Sequence, residues 1–296
     1  MDELDRLPTE QANPRTADLD RLDTLGILTR LNDEDQRVPL AVRAALPAVA
    51  TAVDRAVERW RRGGRVVLFG AGTSGRLATL DAAELVPTFG VSPGRYLARM
   101  CGGAAGIGRA VEGAEDDDDA GEAAASDLGA RDVAFGIAAS GRTPWVLGAL
   151  RGARGNGAAT IGLACVPAPA LAIHADVVIA VDTGPEPIAG STRMKAGTAQ
   201  KLVLNLFSTA LMVRLGKVHG NLMVDVQVTN LKLRRRAARL VAQIAAVDLA
   251  VAERALAEAG DVKTAVVALR LGVSVAAARG RLADADGRLR AALEEE

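Results

Sequence analysis

Three short segments combine glycine with hydroxyl side chains, a composition typical of anion-binding loops. They have the sequences GAGTSGR at 70–76, SGRTP at 140–144 and GSTRMK at 190–195. Glycine lets backbone N–H groups approach an anion, and the N-terminus of a following helix adds a favourable dipole. A phosphate is therefore the predicted ligand, bound by Thr73, Ser74, Ser140, Thr143, Ser191 and Thr192, with Lys195 as an added charge. Taken singly, each segment could equally be ordinary helix capping.

The first segment also fits the pattern G-x-G-x-x-G of dinucleotide-binding loops. Such a site needs an acidic residue about twenty positions further on, at the end of the second strand, to hold the ribose. The run that predicts the second strand ends in Arg99 and Met100, with no carboxylate beside it. The sequence therefore argues against a nicotinamide dinucleotide, and we predict no cofactor.

Several charged residues near these loops could act on a bound phosphosugar. Glu84 follows Ser74 by ten residues, and Glu112 and Glu115 lie in the segment VEGAED. From spacing alone, each glutamate is better explained as a solvated surface charge. Three arginines could grip a substrate carboxylate with two parallel hydrogen bonds, and the sequence does not choose among Arg76, Arg142 and Arg193.

Composition excludes several classes of function. The 36 Lys and Arg residues balance 36 Asp and Glu residues, so no net positive field favours nucleic acid or an anionic membrane. The two Cys and two His residues form no cluster with metal-ligand spacing, which predicts metal-free chemistry. His219 and Cys165 have no evident catalytic partner and are predicted to be packing residues. Because the sequence has no charged-then-apolar leader and no apolar run of about 18 residues, we expect a cytoplasmic protein.

Five apolar runs alternate with stretches of helical character. They occupy 66–69, 96–100, 133–138, 159–164 and 177–181. Continuous apolar runs are typical of a sheet buried on both faces, and the alternation predicts an α/β fold with five parallel strands in a doubly wound sheet. Ligands of such sheets bind beyond the carboxyl ends of the strands, so the three loops should converge on one phosphosugar pocket.

Polar and helical stretches flank the predicted sheet. The first 35 residues are predicted to form an extended arm with one short helix near 22–31. Helices are predicted over 39–60 and from Arg193 to about Leu215, and the chain from Val226 onward should form a helical bundle with breaks at Gly260, Gly272 and Gly280. A polar arm and apolar helix faces both need a covering surface, which predicts a symmetric dimer.

Five segments resemble the N-acetylmuramic acid 6-phosphate etherase family, whose core is a sugar isomerase (SIS) domain of flavodoxin-like type. These segments are GAGTSGRL, VEGAED, GIAASGRTP, GSTRMKAGTAQKLVLN and GNLMVDV. The arm is similar to the family's N-terminal signature at 9–13 and 31–35, so the resemblance covers nearly the whole chain. It implies an N-terminal arm at 1–38, an SIS sugar-phosphate-binding domain at 39–222 and a C-terminal helical region at 223–296.

The resemblance also implies roles for the two glutamates and a setting for the reaction. Glu84 would be the acid/base that protonates a leaving lactate, and Glu115 would be a second active-site carboxylate. The enzyme would be a homodimer in which loops of one subunit complete the neighbour's pocket, and it would act in recycling of peptidoglycan amino sugars. Next to Glu84 this chain has Leu-Val-Pro where many relatives have a Cys-Pro-Pro ending, a change that keeps the carboxyl group.

Two other functions on the same fold remain open at this point. The glucokinase regulatory protein uses SIS domains to sense fructose phosphates, so a binding-only role is one alternative. A sensor needs no paired glutamates, and retention of Glu84 and Glu115 speaks against it. An aldose–ketose isomerase is the other, because its chemistry also begins with proton removal at C2. The etherase-type segments favour the lyase over both.

Overall fold

The computed structural model describes residues 8–109, 111–227 and 231–294. By their contacts the residues form two compact units, Met1–Ala83 with Gly94–Ser208, and Glu84–Pro93 with Thr209–Glu296. The three-part division into arm, SIS domain and C-terminal region stays a prediction. No helix of the described ranges has the length and apolar character that a membrane crossing requires.

The first unit contains a five-stranded parallel sheet in the order β2-β1-β3-β4-β5. Its strands are β1 Val66–Gly70, β2 Tyr96–Met100, β3 Val133–Ile137, β4 Ala159–Ala164 and β5 Val177–Ala180. Every residue of β1, β3 and β4 is buried, which explains why these strands are continuous apolar runs. The predicted α/β fold is confirmed, and each predicted run differs from its strand by at most one residue.

Helices alternate with these strands along the chain, and the last residues of two of them are grouped with the second unit. They are α1 Thr24–Asp35, α2 Val38–Arg61, α3 Gly72–Phe89, α4 Ala105–Gly108, α5 Asp118–Ala124, α6 Pro144–Gly155 and α7 Lys195–Arg214. Pro144 occupies the first turn of α6, where a missing N–H costs nothing. Helix α3 continues through Pro87 to Phe89, because a proline in the last turn removes only one hydrogen bond instead of ending the helix.

The N-terminal arm is tied to its own unit. It forms short 3-10 turns at Pro8–Glu10, Pro14–Thr16 and Leu19–Arg21 before α1. The backbone O of Thr9 accepts a hydrogen bond from Gly190 N at 3.1 Å. The side chain of Asn13 donates to Pro185 O at 3.1 Å, and Thr16 Oγ1 donates to Pro187 O at 2.9 Å. The arm's own chain therefore supplies a surface for it, so the arm by itself is no argument for a dimer.

The second unit is helical apart from one small hairpin. Strands β6 Val218–His219 and β7 Leu222–Met223 pair antiparallel, and the helices are α8 Leu231–Ala245, α9 Leu249–Ala259, α10 Val262–Leu271, α11 Val275–Asp284 and α12 Leu289–Leu293. Their apolar faces share one buried core that includes Val241, Leu256 and Val266. The C-terminal helices are thus confirmed.

Two of the three predicted helix breaks are correct. Gly260 and Gly272 follow α9 and α10 with φ of +81° and +63°, the left-handed conformation that glycine adopts without strain. Gly280 lies inside α11, so the predicted break there is wrong. The buried side chains of Ala278 and Leu282 on either side hold the helix together, and an internal glycine costs it only about 1 kcal/mol.

Candidate active site

A cavity of about 500 Å³ opens where the strands of the sheet end. We call it the hydroxyl-lined cavity, because it brings together Thr73 and Ser74 after β1, Ser140 and Thr143 after β3, and Thr192 before α7. Residues from all three predicted loops therefore meet at one place. Arg142, Glu115, Asp116 and Glu10 also line it, whereas Ser191 and Arg193 are not among its lining residues.

Close packing fixes the first loop, between β1 and α3. A Cβ on Gly70 would lie 2.7 Å from Gly75 N, and a Cβ on Gly75 would lie 2.5 Å from Gly70 O. Only glycine fits at both positions. Ser74 is buried, and its hydroxyl donates to Gln200 Oε1 at 2.9 Å. The hydroxyl proton is therefore used within the protein, and the oxygen is held at a defined place in the first turn of α3.

The second loop is equally constrained. Ser140 Oγ accepts a hydrogen bond from Arg142 N at 3.2 Å, so the loop closes on itself. Gly141 has φ of +69°, and a Cβ there would lie 2.4 Å from Pro169 Cβ. Thr143 then leads into α6 through Pro144. Glycine at position 141 is therefore required for the backbone conformation in which the loop presents its hydroxyl groups.

A buried carboxylate holds the start of α7. Glu186, which is fully buried, accepts hydrogen bonds from Lys195 N at 2.8 Å and from Ala196 N at 2.9 Å. Burial raises the pKa of Glu186, while the two backbone N–H groups act in the opposite direction. The carboxylate fixes the N-terminus of α7 and with it the third loop.

Lys195 has a structural partner inside its own chain. Its side chain is completely buried, and Nζ forms an ion pair with Glu34 Oε2 at 2.8 Å. The lysine thus joins α7 to α1, and it lines neither cavity among the described residues, so its predicted contact with substrate stays a prediction. Sequence reasoning missed this because Glu34 lies 161 positions earlier in the chain, and no spacing connects the two residues.

Glu34 is the centre of this buried cluster. Besides Lys195, it accepts hydrogen bonds from Asn13 Nδ2 at 2.8 Å and from the Arg15 guanidinium, whose NH2 group lies 3.0 Å from Oε2. The hydrogen bond from Arg15, helped by those from Lys195 and Asn13 and opposed by burial, lowers the pKa of Glu34 to about 2. The cluster joins the arm to the helix that follows the third loop.

A second cavity, of about 290 Å³, adjoins the first. We call it the arginine-lined cavity, because Arg76 and Arg109 lie on its wall with Met100, Cys101 and Val111. It shares Ala71, Gly72 and Glu115 with the hydroxyl-lined cavity, and Glu112 lines it as well. Arg109 was not predicted from the sequence, because it lies outside the three loop motifs.

The remaining predicted residues have different surroundings. Glu84 is exposed on α3, in the stretch grouped with the second unit, and lines neither cavity among the described residues. Glu115 is also exposed and borders both cavities. Burial raises the pKa of the Cys101 and Cys165 thiols and lowers the pKa of His219, so none of the three is activated as a nucleophile or base.

A parallel sheet with hydroxyl-rich loops beyond its carboxyl edge defines the sugar isomerase class of sugar-phosphate proteins. In agreement, residues 107–210 match the SIS domain family, and residues 48–154 match the glucokinase regulatory protein N-terminal SIS domain. The chain is 52% identical over 98% of its length to the N-acetylmuramic acid 6-phosphate etherase of Yersinia pestis (strain Pestoides F), covering 99% of that protein. It belongs to the N-acetylmuramic acid 6-phosphate etherase family.

A second relative agrees with this assignment, and a solved structure shares the fold. The etherase of Yersinia pseudotuberculosis serotype O:3 (strain YPIII) is also 52% identical, with 98% of this chain and 99% of that protein covered. A phosphoheptose isomerase from Francisella tularensis is 17% identical and superposes with a TM-score of 0.51, over 65% of this chain and all of that one. The latter likeness shows the fold.

Proposed function

We propose that this protein cleaves the D-lactyl ether of N-acetylmuramic acid 6-phosphate, releasing D-lactate and N-acetylglucosamine 6-phosphate. It acts as a carbon–oxygen lyase in the cytoplasm, in recycling of cell-wall amino sugars. The observation that carries the proposal is the identity of 52% along nearly the whole chain to etherases. The placement of Glu115 beside three hydroxyl-rich loops supports it.

The hydroxyl-lined cavity binds the phosphate group of the sugar. Thr73, Ser140, Thr143 and Thr192 offer hydroxyl groups there, and α3 and α6 begin at its edge. Ser74, whose hydroxyl donates to Gln200, contributes its backbone N–H in the first turn of α3. Helix N-termini have N–H groups without intrahelical partners, which suit a dianion. Ser191 and Arg193 belong to the same loop as Thr192, and their predicted contacts with substrate stay predictions.

The ether is removed by elimination followed by addition of water. Opening of the sugar ring exposes an aldehyde at C1, which acidifies the proton on C2. A carboxylate removes that proton, and the C3–O bond breaks as a carboxylic acid protonates the ether oxygen. Water then adds to C3 of the unsaturated intermediate. The scheme needs one charged and one neutral carboxyl group near the working pH.

Glu115 is the base and Glu84 is the acid. Glu115 borders both cavities, so it can face a sugar whose phosphate lies in one and whose substituent enters the other. Glu84 lines neither cavity of its own chain among the described residues. The etherase resemblance implies a homodimer with a composite active site, and in this proposal Glu84 of the partner subunit completes the site, a geometry that also shields the intermediate from bulk water.

A mixing experiment tests the shared site. Glu84→Gln and Glu115→Gln are each inactive as pure dimers. After subunit exchange at equal amounts, half of the dimers are mixed, and one of their two sites has both glutamates, so about a quarter of wild-type activity returns. D-lactate release after mixing measures the recovery. No recovery, with exchange verified by two affinity tags, would place both glutamates of a site on one chain.

The function itself is tested by supplying three phosphosugars in parallel. We expect D-lactate from N-acetylmuramic acid 6-phosphate, and no interconversion of glucose 6-phosphate with fructose 6-phosphate. An isomerase would interconvert the last two and release no lactate. A sensor would bind one of them without turnover. Either of these outcomes would overturn the proposed function.

A further inference from the structure

We propose that the arginine-lined cavity is the subsite for the carboxylate of the leaving group, held by Arg76 and Arg109. The inference rests on the proposed function, because it assigns a binding site to the lactyl group of that substrate. The two cavities share Ala71, Gly72 and Glu115. A substituent on a sugar bound in the larger cavity can therefore enter the smaller one beside Glu115, the proposed base.

Both arginine side chains line the same cavity. Arg76 Nε donates to Ile107 O at 2.9 Å, which ties its guanidinium to α4. Arg109 follows Ile107 by two residues, so its backbone is next to the site where Arg76 is held. Two guanidinium groups on one cavity wall suit a carboxylate, because their N–H donors can form parallel hydrogen bonds to both oxygens.

The rest of the wall suits the methyl group of a lactyl substituent. Met100, Cys101 and Val111 contribute apolar surface. Burial raises the pKa of Cys101, so the thiol is neutral and belongs to that surface. The wall is close-packed as well, because a Cβ on Gly102 would lie 2.8 Å from Val111 Cγ2. A volume of about 290 Å³ has room for a three-carbon acid.

The charges around the cavity favour selectivity. Glu112 and Glu115 also line it, and Asp116 and Asp117 act on its Cys101 as further negative charges, so net charge does not draw anions into the cavity. An anion gains binding free energy there only through direct hydrogen bonds to the guanidinium groups. Of the three candidate arginines, the proposal selects Arg76 for the carboxylate. Arg142 lines the hydroxyl-lined cavity instead, and Arg193 lines neither cavity.

The test compares two ligands that differ only in the lactyl ether. With Arg109→Met we expect the KM for N-acetylmuramic acid 6-phosphate to rise about tenfold or more, since hydrogen bonds to charged groups contribute that much. The inhibition constant of N-acetylglucosamine 6-phosphate should stay within about twofold, because phosphate and sugar contacts are kept. Arg76→Lys should give the same pattern. Arg43→Met, at an exposed arginine on α2, is the matched control and should change neither constant.

A carboxamide analogue of the substrate gives an independent measurement. Wild type should bind it more weakly than the acid, and Arg109→Met should bind both alike. If Arg109→Met and Arg76→Lys weaken acid and product equally, or change neither, the subsite is wrong. That result is distinct from failure of the proposed function, in which wild type itself releases no D-lactate.

Discussion

Replacement of Glu115 by glutamine is expected to lower kcat by about a hundredfold or more, because loss of a general acid or base typically costs that much. Binding of N-acetylglucosamine 6-phosphate should survive, since the hydroxyl groups of the phosphate loops are unchanged. Glutamine keeps the size of the side chain and removes only its ability to take a proton. Steady-state kinetics together with calorimetric titration of the product measures both quantities.

Asp119→Asn is the matched control for this change. Asp119 is an exposed carboxylate of the same acidic stretch, and it lines neither cavity. Its replacement should leave kcat within about twofold, as expected of a solvated surface charge. Wild-type turnover in Glu115→Gln would remove this glutamate from the mechanism. A loss of product binding as large as the loss of kcat would make it a binding residue instead.

Replacement of Glu34 by glutamine is expected to lower the free energy of unfolding by about 3–5 kcal/mol, the cost of breaking one side of a buried ion pair. Glu34 is 2% exposed and Lys195 is fully buried, so the change leaves an ammonium group without its counter-charge. Urea unfolding measures the loss. Removing the lysine as well, in Glu34→Gln/Lys195→Met, should recover part of it.

An exposed ion pair provides the control for the buried one. Glu58 lies 3.0 Å from Arg62 on the surface of α2, and Glu58→Gln should cost less than about 1 kcal/mol. A loss of that small size in Glu34→Gln would contradict the role assigned to the buried cluster.

The same cluster predicts how stability depends on pH. The pKa of Glu34 is lowered from 4.5 to about 2 in the folded protein, so its contribution is present above pH 4.5 and is lost as the pH falls towards 2. The decline of wild-type stability over that interval should therefore be shallower in Glu34→Gln. An unchanged decline would show that other carboxyl groups account for it.

The sequence was sufficient to predict the sheet and the meeting of three hydroxyl-rich loops at one cavity, because their determinants are local. A strand buried on both faces must be apolar at every position, as β1 is, and a loop at a helix start needs glycine where backbones touch, as at Gly70 and Gly75. Pro144 marks the start of α6 for the same local reason. Such features can be identified without knowledge of the fold.

Features set by contacts between distant residues could not be predicted in this way. Lys195 is buried because it pairs with Glu34. The position of Arg109 depends on α4, whose Ile107 O accepts a hydrogen bond from Arg76. The unbroken helix at Gly280 depends on the neighbours that its flanking residues pack against. In each case the residue type alone permits several environments, and tertiary packing selects one.

In the proposed reaction, lactate leaves by elimination across C2 and C3, and water then adds to C3. Mass spectrometry of both products, after turnover of N-acetylmuramic acid 6-phosphate in deuterated, oxygen-18-labelled water, tests this course of the reaction. We expect N-acetylglucosamine 6-phosphate with solvent oxygen at C3 and deuterium at C2, and D-lactate with its original oxygen atoms. Solvent oxygen at C3 without deuterium at C2 would indicate direct displacement, and release of no lactate would contradict the proposed function itself.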